Sequence, residues 1–72
     1  MNVNYIWILN YNTCSITKVH LTGEALNEAN NCDDFDVFLD KLFAKLGVKE
    51  SQVFYMVTEE DNGIEEIEYD TI

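Results

Sequence analysis

The chain has no arginine and only four lysines, set against fourteen Asp and Glu, for a formal charge of −10 at neutral pH. Phosphate contacts draw on Lys and Arg, so direct binding of nucleic acid is not expected. Anionic membranes are disfavoured for the same reason. Cysteine is scarce: Cys14 and Cys32 stand alone, without the spacing of a metal or redox motif. The single histidine, His20, follows Cys14 by six positions. Along one extended strand that is about 20 Å, too far for a Cys–His dyad. Long apolar runs are missing as well. The run at residues 5–9 is far too short to span a bilayer. Residues 1–12 show neither the basic stretch nor the small-residue cleavage site of a secretory signal. A cytoplasmic protein with free thiols and no cofactor is the expectation.

What remains is one small acidic domain, residues 1–72. At this length only about 60–65% of the chain's surface can be buried on folding, so the core is thin. The apolar fraction of 47% is that of an ordinary globular chain, which argues against disorder over most of the length.

Four strands and one helix account for most residues. Residues 4–10, "NYIWILN", and 15–21, "SITKVHL", read as two strands joined by a polar turn. With Asn12 and Thr13 as turn residues, Ile8 faces Thr17 and Ile6 faces Val19. Ile6, Ile8, Val19 and Leu21 then share one face, and Tyr5, Trp7, Leu9, Ile16, Lys18 and His20 the other. Residues 22–32 read as a connection with one helical turn at 24–29. The firm helix follows, because Phe35, Phe38, Leu39, Leu42 and Leu46 form one apolar stripe. Asp33 or Asp34 suits its N-cap, and Gly47 its C-terminal stop. Residues 52–58, "QVFYMVT", are a third strand. Asn62-Gly63 signals a tight hairpin into a fourth, residues 64–70, with Ile67 and Tyr69 inward and Glu66, Glu68 and Asp70 outward. The expected fold is α+β: ββαββ, a four-stranded, mainly antiparallel sheet with one helix packed on one face. The uncovered face would carry Tyr5, Trp7, Leu9, Ile16 and Tyr55, and Tyr5, Trp7 and Tyr55 become candidates for an aromatic interface.

Catalytic and metal motifs do not emerge. Aligning Gly63 with the glycine of an EF-hand loop puts Thr58, Glu65 and Tyr69 where an Asp, an apolar residue and a Glu belong. Carboxylate pairs abound, but no pattern places two across a substrate cleft, so an enzyme is not expected. The aromatic face superficially suggests a base-stacking platform, which the charge opposes.

The charge itself supplies the functional expectation. Glu59, Glu60, Asp61, Glu65, Glu66, Glu68 and Asp70 crowd the C-terminal stretch, and Asp33, Asp34 and Asp36 open the helix. On a fourth strand, Glu66, Glu68 and Asp70 would stand about 6.8 Å apart, twice the rise per phosphate of a DNA strand. Such a row can occupy a basic groove built for a nucleic-acid backbone. In size, charge and compactness, though in no sequence motif, the chain is similar to DNA-mimic inhibitors of the anti-restriction and anti-CRISPR kind. The expected partner is a basic protein surface, such as that of a nuclease or another nucleic-acid-binding protein. The alternative is a structural module that forms a homodimer through its aromatic sheet face, the acidity serving only solubility. That reading expects a dimer that Trp7→Glu would dissociate.

Overall fold

The computed structural model describes residues 2–61 and 63–69. Three strands form one antiparallel sheet: β1, Tyr5–Asn10; β2, Ser15–His20; and β3, Val53–Thr58. Their order is β2-β1-β3, so the N-terminal strand is central. Two helices lie between β2 and β3: α1, Gly23–Asn31, and α2, Phe35–Leu46. A single 3-10 turn, Glu50–Gln52, leads into β3.

The first hairpin has the register its alternation predicts. Ile8 pairs with Thr17 and Ile6 with Val19, across a four-residue turn at residues 11–14. The Asn10 side chain holds that turn by accepting from the backbone N–H groups of Asn12 and Thr13. Cys14 closes it in the left-handed region, at φ 55°. β1 then pairs on its other side with β3, Ile6 against Val57 and Ile8 against Tyr55. Because paired residues share a face, Ile6, Ile8, Val19, Tyr55 and Val57 point toward the helices. The outer face carries Tyr5, Trp7, Leu9, Phe54 and Met56.

α2 is set at both ends by its sequence. Asp34 caps it, its carboxylate accepting from the N–H of Asp36 at 3.0 Å. A cap of this kind contributes about 1 kcal/mol. Gly47 ends the helix at φ 72°, and the N–H of Val48 reaches back to the carbonyl of Phe43. The buried side is centred on Phe38, Leu39 and Phe43, while Leu46 sits half exposed at the end of the stripe.

The fold departs from the expected four-stranded, one-helix arrangement in three ways, within the same α+β class. First, residues 23–31 form a full helix. Their sequence, "GEALNEANN", is poor in apolar positions and rich in asparagine, a weak helix former. Long-range contacts support it instead. Ala29 is buried in the core, and Asn30 bridges to the start of the sheet, accepting from the N–H of Val3 at 2.7 Å and donating to its carbonyl at 3.0 Å.

Second, the fourth strand does not form: residues 63–69 make no ladder. The Asn62 half of the expected turn, and Asp70, lie outside the described residues. Gly63 does take a positive φ, 68°. The expected hairpin would set Glu59 opposite Glu66 and Glu60 opposite Glu65, and like charges opposed across strands are destabilising. Residues 59–61 are also committed elsewhere. They turn over the outer face instead of back along β3. Ile67 and Tyr69, expected inward, are 75% and 84% exposed. The radius of gyration, 14.1 Å, exceeds the roughly 11 Å of a compact chain of this length, as an undocked C-terminal segment requires.

Third, Tyr55 belongs to the helix-covered face, where its ring meets Phe43 edge-on with centroids 6.1 Å apart. Phe54 and Met56 take the place assigned to it on the outer face.

Candidate functional site

Where the chain leaves β3, four contacts pin it across the outer face. The Trp7 indole N–H donates to Thr58 Oγ1 at 2.9 Å, and the Thr58 hydroxyl donates to the carbonyl of Glu60 at 2.8 Å. The Asn4 amide donates to the carbonyl of Glu59 at 2.7 Å. Lys18 Nζ meets Asp61 at 2.7 Å. The lysine is itself seated over Tyr5 and Trp7, 5.9 and 5.8 Å from the ring centroids, where aromatic quadrupoles favour a cation. Tyr5 stacks in turn on His20, centroids 4.7 Å apart. Trp7, an expected interface residue, is thereby covered by its own chain and is only 6% exposed. Tyr5 is half-buried, and Tyr55 lies on the opposite face.

The acidic residues fall on both sides of this clamp. Glu59, Glu60 and Asp61 are its outer surface, all exposed. Glu65, Glu66 and Glu68 follow on the segment without a ladder, also exposed, so the evenly spaced row expected of a fourth strand is not built. Asp33, Asp34 and Asp36 are exposed at the start of α2. α1 ends beside Val3 and β3 ends beside Tyr5, so both acidic groups lie toward the end of the sheet where β1 begins. Among the described residues every acidic side chain is exposed, and only Asp61 and Glu28 form an ion pair, the latter with Lys41 at 3.1 Å.

The Lys18–Asp61 pair makes the clamp sensitive to pH. The hydrogen bond from Lys18 holds the Asp61 carboxyl below its ordinary value, against a smaller opposing effect of desolvation. The same bond holds the Lys18 ammonium above its own. The aspartate contribution is therefore present above the ordinary carboxylate value of about 4 and is lost as pH falls through the lowered one. The lysine contribution is present below about 10.4 and is lost as pH rises through the raised value. Acidification is expected to loosen residues 59–61 and change the emission of Trp7, the one tryptophan. Asp61→Asn should remove that acid transition, and Asp33→Asn should leave it in place.

At the other end of the outer face the covering stops. Leu9, Ile16, Phe54 and Met56 lie exposed side by side, with Tyr11 and Cys14 at the rim of a shallow concavity of about 230 Å³. Phe54 is 69% exposed. Both cysteines are free thiols. Among the described residues no three His, Cys, Asp or Glu side chains gather closely enough to hold a metal ion, and no helix is long and apolar enough to cross a membrane. No protein-family model matches the chain, and comparison with curated proteins and with solved structures gives no match.

The clamp was missed in the sequence. Its partners lie 43 to 55 positions apart, and no local pattern marks them. The one available signal was the pairing of a lone lysine with aromatics on alternate strand positions, which could seat a carboxylate from elsewhere.

Proposed function

We propose that the chain is a non-enzymatic protein-binding module whose acidic surface occupies a basic site on a partner, of the kind that otherwise holds the phosphates of nucleic acid. The observation that supports this reading is the exposed set of carboxylates around the clamp, of which only Asp61 is ion-paired, with Lys18. Glu59, Glu60 and Asp61 are held in fixed positions on the sheet, with Asp33, Asp34 and Asp36 toward the same end. Glu65, Glu66 and Glu68 extend the charge outward on a segment able to follow the contour of a groove. Mimicry then depends on density and reach of charge, not on a rigid row at phosphate spacing. Inhibition of a nuclease or another nucleic-acid-binding protein is the corresponding biological role.

Affinity capture from the source lysate at low salt tests the reading. Binding of the captured protein is expected to weaken about tenfold or more on raising the salt, and DNA or RNA should displace the module from it. A variant with Glu59, Glu60, Glu65, Glu66 and Glu68 all changed to Gln should capture nothing. Retention unchanged by salt and by nucleic acid would overturn mimicry.

The exposed row Ile16, Leu9 and Phe54 favours a second reading, in which the sheet face itself binds a protein. That interface would be centred away from Trp7, which the chain already covers.

A further inference from the structure

Among the described residues β2 is an edge strand, paired with β1 on one side only. Beside its free edge, on the helix side, a groove of about 480 Å³ runs between β2, α1 and α2. Val19, Leu21, Phe38, Leu42 and Leu46 make its apolar lining, and Lys41 and Lys45 stand along its rim. Lys45 forms no ion pair among the described residues, and Lys41 stays largely exposed beside Glu28. The chain has only four lysines, and three of them, Lys18, Lys41 and Lys45, flank this one edge.

Residues 63–69, "GIEEIEY", are the chemical complement of that edge. In an extended segment side chains alternate, so Glu65, Ile67 and Tyr69 point one way and Ile64, Glu66 and Glu68 the other. β2 alternates likewise: Thr17, Val19 and Leu21 share the helix-covered face and Ile16, Lys18 and His20 the outer one, and the strand borders the groove at Val19, His20 and Leu21. A parallel register with Ile64 beside Ile16 brings Ile67 to Val19 and Tyr69 to Leu21. The same register sets Glu66 at Lys18 and Glu68 at His20, and turns Glu65 to the side of Lys41 and Lys45. One alignment thus satisfies the apolar and the charged positions on both faces. It also covers Ile64, Ile67 and Tyr69, which the single chain leaves 73% to 84% exposed.

We propose that two copies of the chain associate by exchanging this segment: residues 63–69 of each add as a strand to the free edge of β2 of the other. A chain cannot supply this strand to itself. Asp61 is already held at its own Lys18, and the register places Glu66 beside the same lysine. Reversing direction in the four residues between would consume Ile64 and Glu65, which must be extended. Backbone pairing supplies affinity in such strand additions, and alternate side chains supply specificity. This inference does not rest on the basic-partner reading: the exchanged strand engages Glu65, Glu66 and Glu68 itself, and leaves Glu59, Glu60, Asp33, Asp34 and Asp36 as the acidic surface of the dimer.

Sedimentation equilibrium of the full chain in moderate salt tests it. Twice the 8.3 kDa protomer mass is expected. A chain ending at Asp61 should be a monomer that keeps the β1–β3 pairing by amide exchange. Ile67→Glu should raise the dimer dissociation constant more than about tenfold. Lys41→Glu with Lys45→Glu should also give a monomer, and these exposed changes spare the core. Mixing that double variant with the chain ending at Asp61 should restore a one-to-one complex, since one brings the strand and the other the groove. Three results would overturn the proposal. The full chain could be monomeric at every concentration, the shortened chain could remain dimeric, as association through the outer sheet face requires, or the mixture could fail to associate.

Discussion

Ile6→Ala is expected to cost about 3–4 kcal/mol, while Ile67→Ala, measured at concentrations where the chain is monomeric, should change stability by less than about 0.5 kcal/mol. Both isoleucines occupy positions that alternation in the sequence assigns to a buried sheet face. Ile6 lies in the central strand and is wholly enclosed, 0% exposed, between the helices and two neighbouring strands. Its truncation removes three carbons' worth of burial and leaves a space that the pairing on both sides keeps from closing. A domain this small has little more than that to lose, so the variant should be largely unfolded at room temperature. Ile67 gives up nothing of the kind, because nothing covers it. Urea denaturation followed by circular dichroism decides the matter. Equal losses at the two positions would mean that residues 64–69 belong to the sheet after all.

The second large effect is expected at Trp7. Trp7→Ala should cost about 3–5 kcal/mol, through lost packing and the lost hydrogen bond to Thr58. Trp7→Phe, which keeps most of the ring but not the donor, should cost about 1–2 kcal/mol. The larger change should also release residues 59–61. Backbone amide exchange near Glu59 and Glu60 would then rise in Trp7→Ala well beyond what the change in global stability explains. A tryptophan serving only as a contact for another protein would behave in the opposite way. Its removal would leave the monomer's stability unchanged and weaken association alone.

The parts of the fold that could be read in advance share a property: local pattern and tertiary need agree. The β1–β2 register follows from alternating Ile6, Ile8 and Val19 across a short polar turn. α2 follows from its apolar stripe, the Asp34 cap and the terminal Gly47. α1 could not be read so, because Ala29 and Asn30 contribute through contacts with a distant part of the chain. The orientation of β3 was illegible for a different reason. "VFYMV" is apolar on both faces, so its period carries no information about which face meets the helices. Only the pairing of Ile8 with Tyr55 decides it. At the fourth strand, a strong turn signal competed with opposed glutamates and with a lysine able to capture Asp61, and the electrostatics prevailed. For the candidate site, exposure of the acids was legible from composition. The clamp that positions some of them was not.

The central place of β1 has a consequence for how the chain is made. β1 is synthesised well before one of its neighbours, since β1 ends at Asn10 and β3 starts only at Val53. At a synthesis rate of about 5–20 residues per second, the hairpin is complete for about 2–8 seconds before the sheet can be. During that interval the backbone of β1 presents an unpaired edge in the middle of the future core, with Ile8 lacking the cover of Tyr55. The nascent protein is thus a two-stranded sheet awaiting its third member, exposed to capture by any extended segment near the ribosome exit. Cysteine-free turns or stronger helices would not shorten that wait. Moving the coding order of β3 next to β1, by circular permutation, would.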